Sequence, residues 1–166
     1  ANELKKYKAI IISGGPSSVY ADTAPKYDPQ LFELNIPILA ICYGFQLMVH
    51  VFHGKISRGH EREDGQFKLD IDNKSKLFAN IAEPQISVLL THGDVVGAMP
   101  AHSDFKVTAT STNGIIAAGE NSKRKIYGVQ FHPEVDLTPD GKQMFKNFLY
   151  DICGLKANFT LKNRMS

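Results

Sequence analysis

The sequence predicts an α/β fold, a mostly parallel sheet with helices packed on it and further antiparallel strands. Two observations carry that reading. The apolar runs "AIII", ending at Ser13-Gly14-Gly15-Pro16, and "ILAI", ending at Cys42, break off at their carboxyl ends as strands covered on both faces do. After the second run, Phe45, Met48, Val49 and Phe52 recur at spacings of three and four, so strand, sharp turn and helix follow one another.

Taken in order, "YKAIII" reads as a first buried strand and "IPILAI" as a second, opened by Pro37 where a missing donor is tolerated. Residues 43 to 53 read as a helix, with Gly54 as its stop. In "GQFKLDID", Phe67, Leu69 and Ile71 alternate with polar residues, which predicts a strand with one wet face. "QISVLL", "FKVTAT", "GIIAAG" and "KIYGVQF" add strands at short intervals. The last helix is expected to be capped by Thr138, with Pro139 in its first position. Its apolar stripe would be Phe145, Phe148, Leu149 and Ile152, and Gly154 would end it. Residues 1–154 are read as one domain and 155–166 as the start of a linker.

Composition narrows the function. With 43% hydrophobic and 22% charged residues, 166 residues make an ordinary globular domain with a real core. A net charge of +2, with Lys and Arg scattered rather than in runs, points away from nucleic acid. No apolar run approaches the ~20 residues of a membrane span, and "ANELKKYK" lacks the apolar core of a secretory leader. The expectation is a cytoplasmic protein whose two cysteines, Cys42 and Cys153, are free thiols.

Cys42 stands at a strand-to-helix joint, where a side chain is lifted out at the carboxyl edge of the sheet, the ligand-binding edge of open α/β folds. The positive end of a helix favours an anionic nucleophile there. Ala40 and Gly44 supply the small residues that such an elbow needs. The competing reading is a small core hydrophobe, and the same applies to Cys153, four residues after Leu149 on the apolar stripe.

A cysteine nucleophile needs a base and an orienter. His132 follows "KIYGVQF", and Glu134, two residues on, projects to the same side of an extended segment that Pro133 keeps out of a helix. His50 and His53 lie along the helix after Cys42 without a third metal ligand, so a polar face or packing role is expected. His60, among Glu61, Glu63 and Asp64, reads as a solvated loop, and His102 carries no signal.

"ISGGP", "ICYGFQ" and "FHPE", in that order, resemble the class I (triad) glutamine amidotransferases. "REDG", "LLTHGD" and "KNFLYDIC" bring the resemblance closest to the amidotransferase domains of GMP synthetases. It covers nearly the whole chain and implies a three-layer, flavodoxin-like open sheet. It implies Cys42 as nucleophile, His132 as acid and base, and Glu134 as its orienter. The N–H groups of Gly15 and Tyr43 would form an oxyanion hole. Gly14, Gln46, Thr91, His92 and Gly93 would contact glutamine, although a simple strand-end loop competes for the last three.

The resemblance further implies no cofactor or metal in this domain. Ammonia would pass to an ATP pyrophosphatase (synthetase) domain, which uses ATP and Mg to aminate xanthosine monophosphate. Asp94 and residues 62 to 65 would face that partner, or else be solvated charge. Members of the family begin with a further strand, helix and strand ahead of "AIIISGGP", and they place glycine where this chain has Ala40. Two competing readings are another class I amidotransferase or a γ-glutamyl hydrolase, and a non-catalytic module of the same fold.

Overall fold

In the computed structural model, the structure describes residues 2–101 and 103–158, with side chains omitted for residues 2 and 58–63. His102 and residues 159–166, most of the expected linker, lie outside the described residues. A mixed sheet of seven strands runs in the order β1-β2-β7-β6-β4-β3-β5. These are β1 (Ile10–Ile12), β2 (Ile38–Ile41), β3 (Lys55–Ile71), β4 (Gln85–Ala98), β5 (Lys106–Ser111), β6 (Ile116–Asn121) and β7 (Ile126–Val129). Strands β1, β2 and β7 are parallel, and the other pairings are antiparallel.

Two apolar clusters, one on each face of the sheet, explain the unbroken hydrophobic run of β2. Ile38 and Ala40 pack with Phe45 and Met48 of helix α1 (Tyr43–Val51), while Leu39 and Ile41 pack on the other face with Phe148 and Ile152. The result is three layers, with helices on both faces and side chains alternating between them. The expected two-sided burial fails for the first strand. β1 is the edge of the described sheet, and Ile11 is 45% exposed.

Helix α1 ends in a Schellman motif. His53, at φ 64°, is the left-handed residue, and its N–H donates to the His50 carbonyl, while that of Gly54 donates to Val49. Gly54 therefore follows the stop instead of making it. His50 packs edge-on against Tyr20 at 5.3 Å. The expected loop around His60 is strand: the backbone of residues 60 to 65 belongs to β3, which pairs Glu63 with His92 and Asp64 with Thr91 on β4.

The last helix begins later than expected. Its N-cap is Asp140, and α2 spans Gly141–Lys146 before continuing as a π-helix over Asn147–Ile152. Thr138 is buried and spends its hydroxyl on the Leu89 N–H of β4 (3.1 Å), so a tertiary contact takes the side chain that the local pattern assigned to capping. The stripe is as expected, with Phe148 and Ile152 buried and Phe145 and Leu149 packed beside them. Gly154, at φ 67°, closes the helix. No described helix is long and apolar enough to cross a membrane.

Candidate active site

Parallel register brings three separated segments to one edge. Ile12 pairs with Ala40 and Ile41 with Val129, so the chain leaves β1 at Ser13-Gly14-Gly15, β2 at Cys42 and β7 at Gln130–His132, all at the carboxyl ends of adjacent strands. Crevices of open α/β sheets form at such ends. Strand β4 passes alongside, tied by the His132 N–H to the Leu89 carbonyl at 3.1 Å. Residues 15–18, Cys42, Gln46 and 91–94 line a cleft of about 320 Å³.

Cys42 adopts φ 51° and ψ −106°, a backbone conformation rarely held by a residue with a side chain, as N-cap of α1. Packing imposes it. The Cys42 N–H donates to the Val129 carbonyl (2.8 Å), its carbonyl accepts from Gln46 N–H (3.1 Å), and the helix must turn at once because Gly44 lies against β1. A Cβ on Gly44 would stand 2.6 Å from the Ile12 carbonyl oxygen, so the small residue expected at plus two is required. Cys42 is 5% exposed and lines the cleft.

His132 lies beside it. Its Nδ1 is 2.7 Å from Glu134 Oε1, and its Nε2 is 3.2 Å from the Thr91 hydroxyl. The interaction with the Cys42 sulfur raises the His132 pKa to about 9, reinforced by Glu134 against the opposing cost of partial burial. The protonated imidazole is therefore the favoured partner of the sulfur at neutral pH. A Cβ on Gly14 would stand 3.0 Å from His132 Cε1 and 3.2 Å from Cys42 Cβ, so the two residues close around a glycine. At Gly15 it would make only an ordinary contact, 3.9 Å from Tyr43 Cβ. The N–H of Tyr43, in the first turn of α1, has no acceptor within the helix.

Thr91, His92 and Gly93 lie inside β4 and not in a loop at its end. Each lines the cleft, with Thr91 also contributing its hydroxyl to His132. His92 is buried, its Nδ1 2.8 Å from the Asp94 carbonyl; since a carbonyl only accepts, that nitrogen carries the proton. Burial holds the His92 imidazole below its ordinary pKa, against the pull of that carbonyl and the charge of Asp64.

Gln46 donates from Nε2 to the Asp94 carbonyl (3.0 Å) and to Gln130 Oε1 (3.2 Å). With its N–H groups committed, its side-chain oxygen is what it can offer a ligand in the cleft. Gln130, which the sequence pattern did not single out, is 1% exposed and places Nε2 3.7 Å from the Cys42 sulfur. A signal for it existed, because Gln130 stands two residues before His132 and so projects to the same side. Cys153 is half-buried against the core, and burial raises its thiol pKa to about 11. Among the described residues, no group of three His, Cys, Asp or Glu side chains could hold a metal ion.

The family model described as "Glutamine amidotransferase class-I" matches residues 1–152. The chain is 52% identical over 165 residues to "GMP synthase [glutamine-hydrolyzing]" of Dictyostelium discoideum, covering 95% of this chain and 23% of that protein. It is 44% identical over 161 residues to the protein of the same description in Alkaliphilus metalliredigens, covering 97% and 31%. The chain thus spans about a quarter to a third of the length of these relatives. Among solved structures, a GMP synthase candidate from Thermoplasma acidophilum aligns with a TM-score of 0.75 and 29% identity, over 92% of this chain and 76% of that one.

Proposed function

The chain belongs to the class-I glutamine amidotransferase family, and from that premise we propose that it hydrolyses glutamine through Cys42, His132 and Glu134 to supply ammonia for GMP formation. The observation that carries this reading is the paired arrangement at the sheet edge. Cys42 is held at positive φ on the elbow, beside an imidazole whose far nitrogen is 2.7 Å from Glu134.

The Cys42 sulfur attacks the side-chain amide carbon of glutamine, and the carbonyl π electrons move to oxygen. The N–H groups of Tyr43 and Gly15 stabilise that oxyanion; one such donor is worth about 3 kcal/mol. His132, protonated at the nitrogen facing the sulfur, gives its proton to the departing nitrogen as the C–N bond breaks, leaving a thioester and ammonia. The now neutral imidazole takes a proton from water as the water oxygen bonds to the thioester carbon. Collapse of the second oxyanion expels the sulfur and releases glutamate. Glu134 keeps Nδ1 protonated throughout.

The Gln46 side-chain oxygen suits the NH2 group of the substrate amide, or its ammonium, and rejects a carboxylate in the same place. Ammonia is then consumed by an ATP pyrophosphatase (synthetase) domain that aminates xanthosine monophosphate. ATP and Mg act on that domain and enter no step on this chain. The test is release of ammonia and glutamate from glutamine, with and without a synthetase domain loaded with ATP and xanthosine monophosphate, by the native chain and Cys42→Ala. Release abolished by the substitution supports the reading. Release unchanged by it removes Cys42 from the mechanism, and no release in either condition favours a non-catalytic module.

A further inference from the structure

Gln130 has no part in the steps above, yet its amide is buried against the sulfur. We propose that Gln130 is a positioning residue for Cys42: its side-chain N–H holds the sulfur anion in its attacking orientation, and the main-chain carbonyl of Asp94, acting through Gln46, fixes which end of the Gln130 amide faces the sulfur. The proposal rests on Cys42 being the nucleophile and deepens that reading.

The polarity of the chain of amides is forced from one end. The Asp94 carbonyl can only accept, and it is 3.0 Å from the Gln46 side-chain nitrogen, so that end of Gln46 must be its NH2. The same nitrogen lies 3.2 Å from the next amide, so Gln130 must present its oxygen there. What remains for the sulfur, at 3.7 Å, is the Gln130 NH2. Reversing Gln130 would set oxygen against sulfur and NH2 against NH2. Reversing Gln46 would set oxygen against the Asp94 carbonyl. Gln130, Gln46 and Cys42 are 1%, 4% and 5% exposed, so water does not substitute for these bonds. The backbone is pinned too, since the Gln130 N–H donates to the Ala117 carbonyl at 2.8 Å.

An N–H donor gains little from a neutral thiol and much more from its anion. Gln130 should therefore favour the anionic sulfur while restricting where it sits. Among the described residues, the charged and titratable groups around the cleft are His132 and Glu134 from the segment after β7, His92 and Asp94 from β4, and Asp64 from β3; the first turn of α1 adds no charge. All are common to the native chain and a Gln130 variant, so a difference between them reports on Gln130.

The experiment is the rate of iodoacetamide alkylation at Cys42 from pH 5 to 10, followed by peptide mapping to separate Cys153. It compares the full native chain with Gln130→Leu and the near-isosteric Gln130→Glu, each checked for folding by circular dichroism. Gln130→Leu is expected to move the midpoint of the profile to higher pH by roughly one unit relative to the native chain. Gln130→Glu, which puts an acceptor against the sulfur, is expected to move it further. Should Gln130→Leu misfold, the Gln130→Glu profile decides. A folded variant whose profile coincides with the native one overturns the proposal. Alkylation needs no glutamine, so that outcome would leave glutamine hydrolysis standing, and failure of glutamine hydrolysis would not by itself move the profile.

Discussion

Glu134 Oε1 lies 2.7 Å from His132 Nδ1, and this one contact determines what the imidazole can do at its other nitrogen. An ionised carboxylate only accepts, so Nδ1 carries hydrogen in both charge states and Nε2 alone exchanges a proton. Replacing Glu134 by Ala frees the ring to rotate and to take the wrong tautomer. Glutamine hydrolysis should fall by about tenfold or more while Cys42→Ala abolishes it. The melting temperature should hardly change, because the Glu134 side chain is 44% exposed. Steady-state glutaminase rates beside thermal melts check this, and an unchanged rate would remove Glu134 from the mechanism.

His132 should titrate abnormally, and for a reason that can be deleted. Its pKa is raised from 6.5 to about 9 chiefly by Cys42. In Cys42→Ala the midpoint of the His132 ring resonance in NMR should therefore drop towards its ordinary value, whereas Glu134→Ala should lower it less. A midpoint unmoved by loss of Cys42 would show that the sulfur and the imidazole do not interact.

The same shift links pH to stability. A group whose folded pKa is raised stabilises the fold fully below its unfolded value, here pH 6.5, and loses that contribution as pH rises through about 9. Melting temperature should decline across this window in the native chain and decline less in Cys42→Ala. Thermal melts at intervals from pH 6 to 9.5 would show it; parallel curves would count against the linkage.

Gly14 lies where His132 and Cys42 close on the backbone. A methyl group there would meet His132 Cε1 at 3.0 Å and Cys42 Cβ at 3.2 Å, so one of the two must shift. Gly14→Ala should fold with near-native stability yet lose roughly tenfold in kcat, because the reacting groups must give by a few tenths of an ångström. Gly97→Ala, on β4 outside the cleft lining, is the control, since a Cβ there makes only ordinary contacts, 3.7 Å from Ser57 Oγ and 3.9 Å from the Lys55 carbonyl. Equal rates for the two variants would contradict the geometry.

Asn147 ties the π-helix to the turn after β3. Fully buried, it donates to the carbonyls of Leu77 (2.9 Å) and Ala79 (2.6 Å) and accepts from Gln143 (2.8 Å). Asn147→Leu would leave these groups without partners, at about 1–3 kcal/mol for each that stays buried. Urea denaturation should show a lowered midpoint with an unchanged slope, and a midpoint within error of native would refute the role.

What the sequence determined by itself was local. Apolar runs that stop at Gly14, Cys42 and the residues before His132 encode strands and their carboxyl ends, because a run covered on both faces and a tight turn each leave a short-range signature. The pairing of His132 with Glu134 was equally legible, being an i, i+2 relation on extended chain. Tertiary structure decided everything that depends on partners distant in the chain. It left β1 at the edge of the described sheet with Ile11 exposed, and it drew residues 60 to 65 and 91 to 94 into the long strands β3 and β4 where isolated segments read as loops. It also moved the cap of the last helix from Thr138 to Asp140, because the Thr138 hydroxyl bonds to Leu89. Above all, it placed Gln130, Gln46 and the Asp94 carbonyl in line behind the sulfur. Hydrogen-bond polarity among buried amides is set by whichever carbonyl the fold brings to their end, and no spacing within a single strand or helix records that.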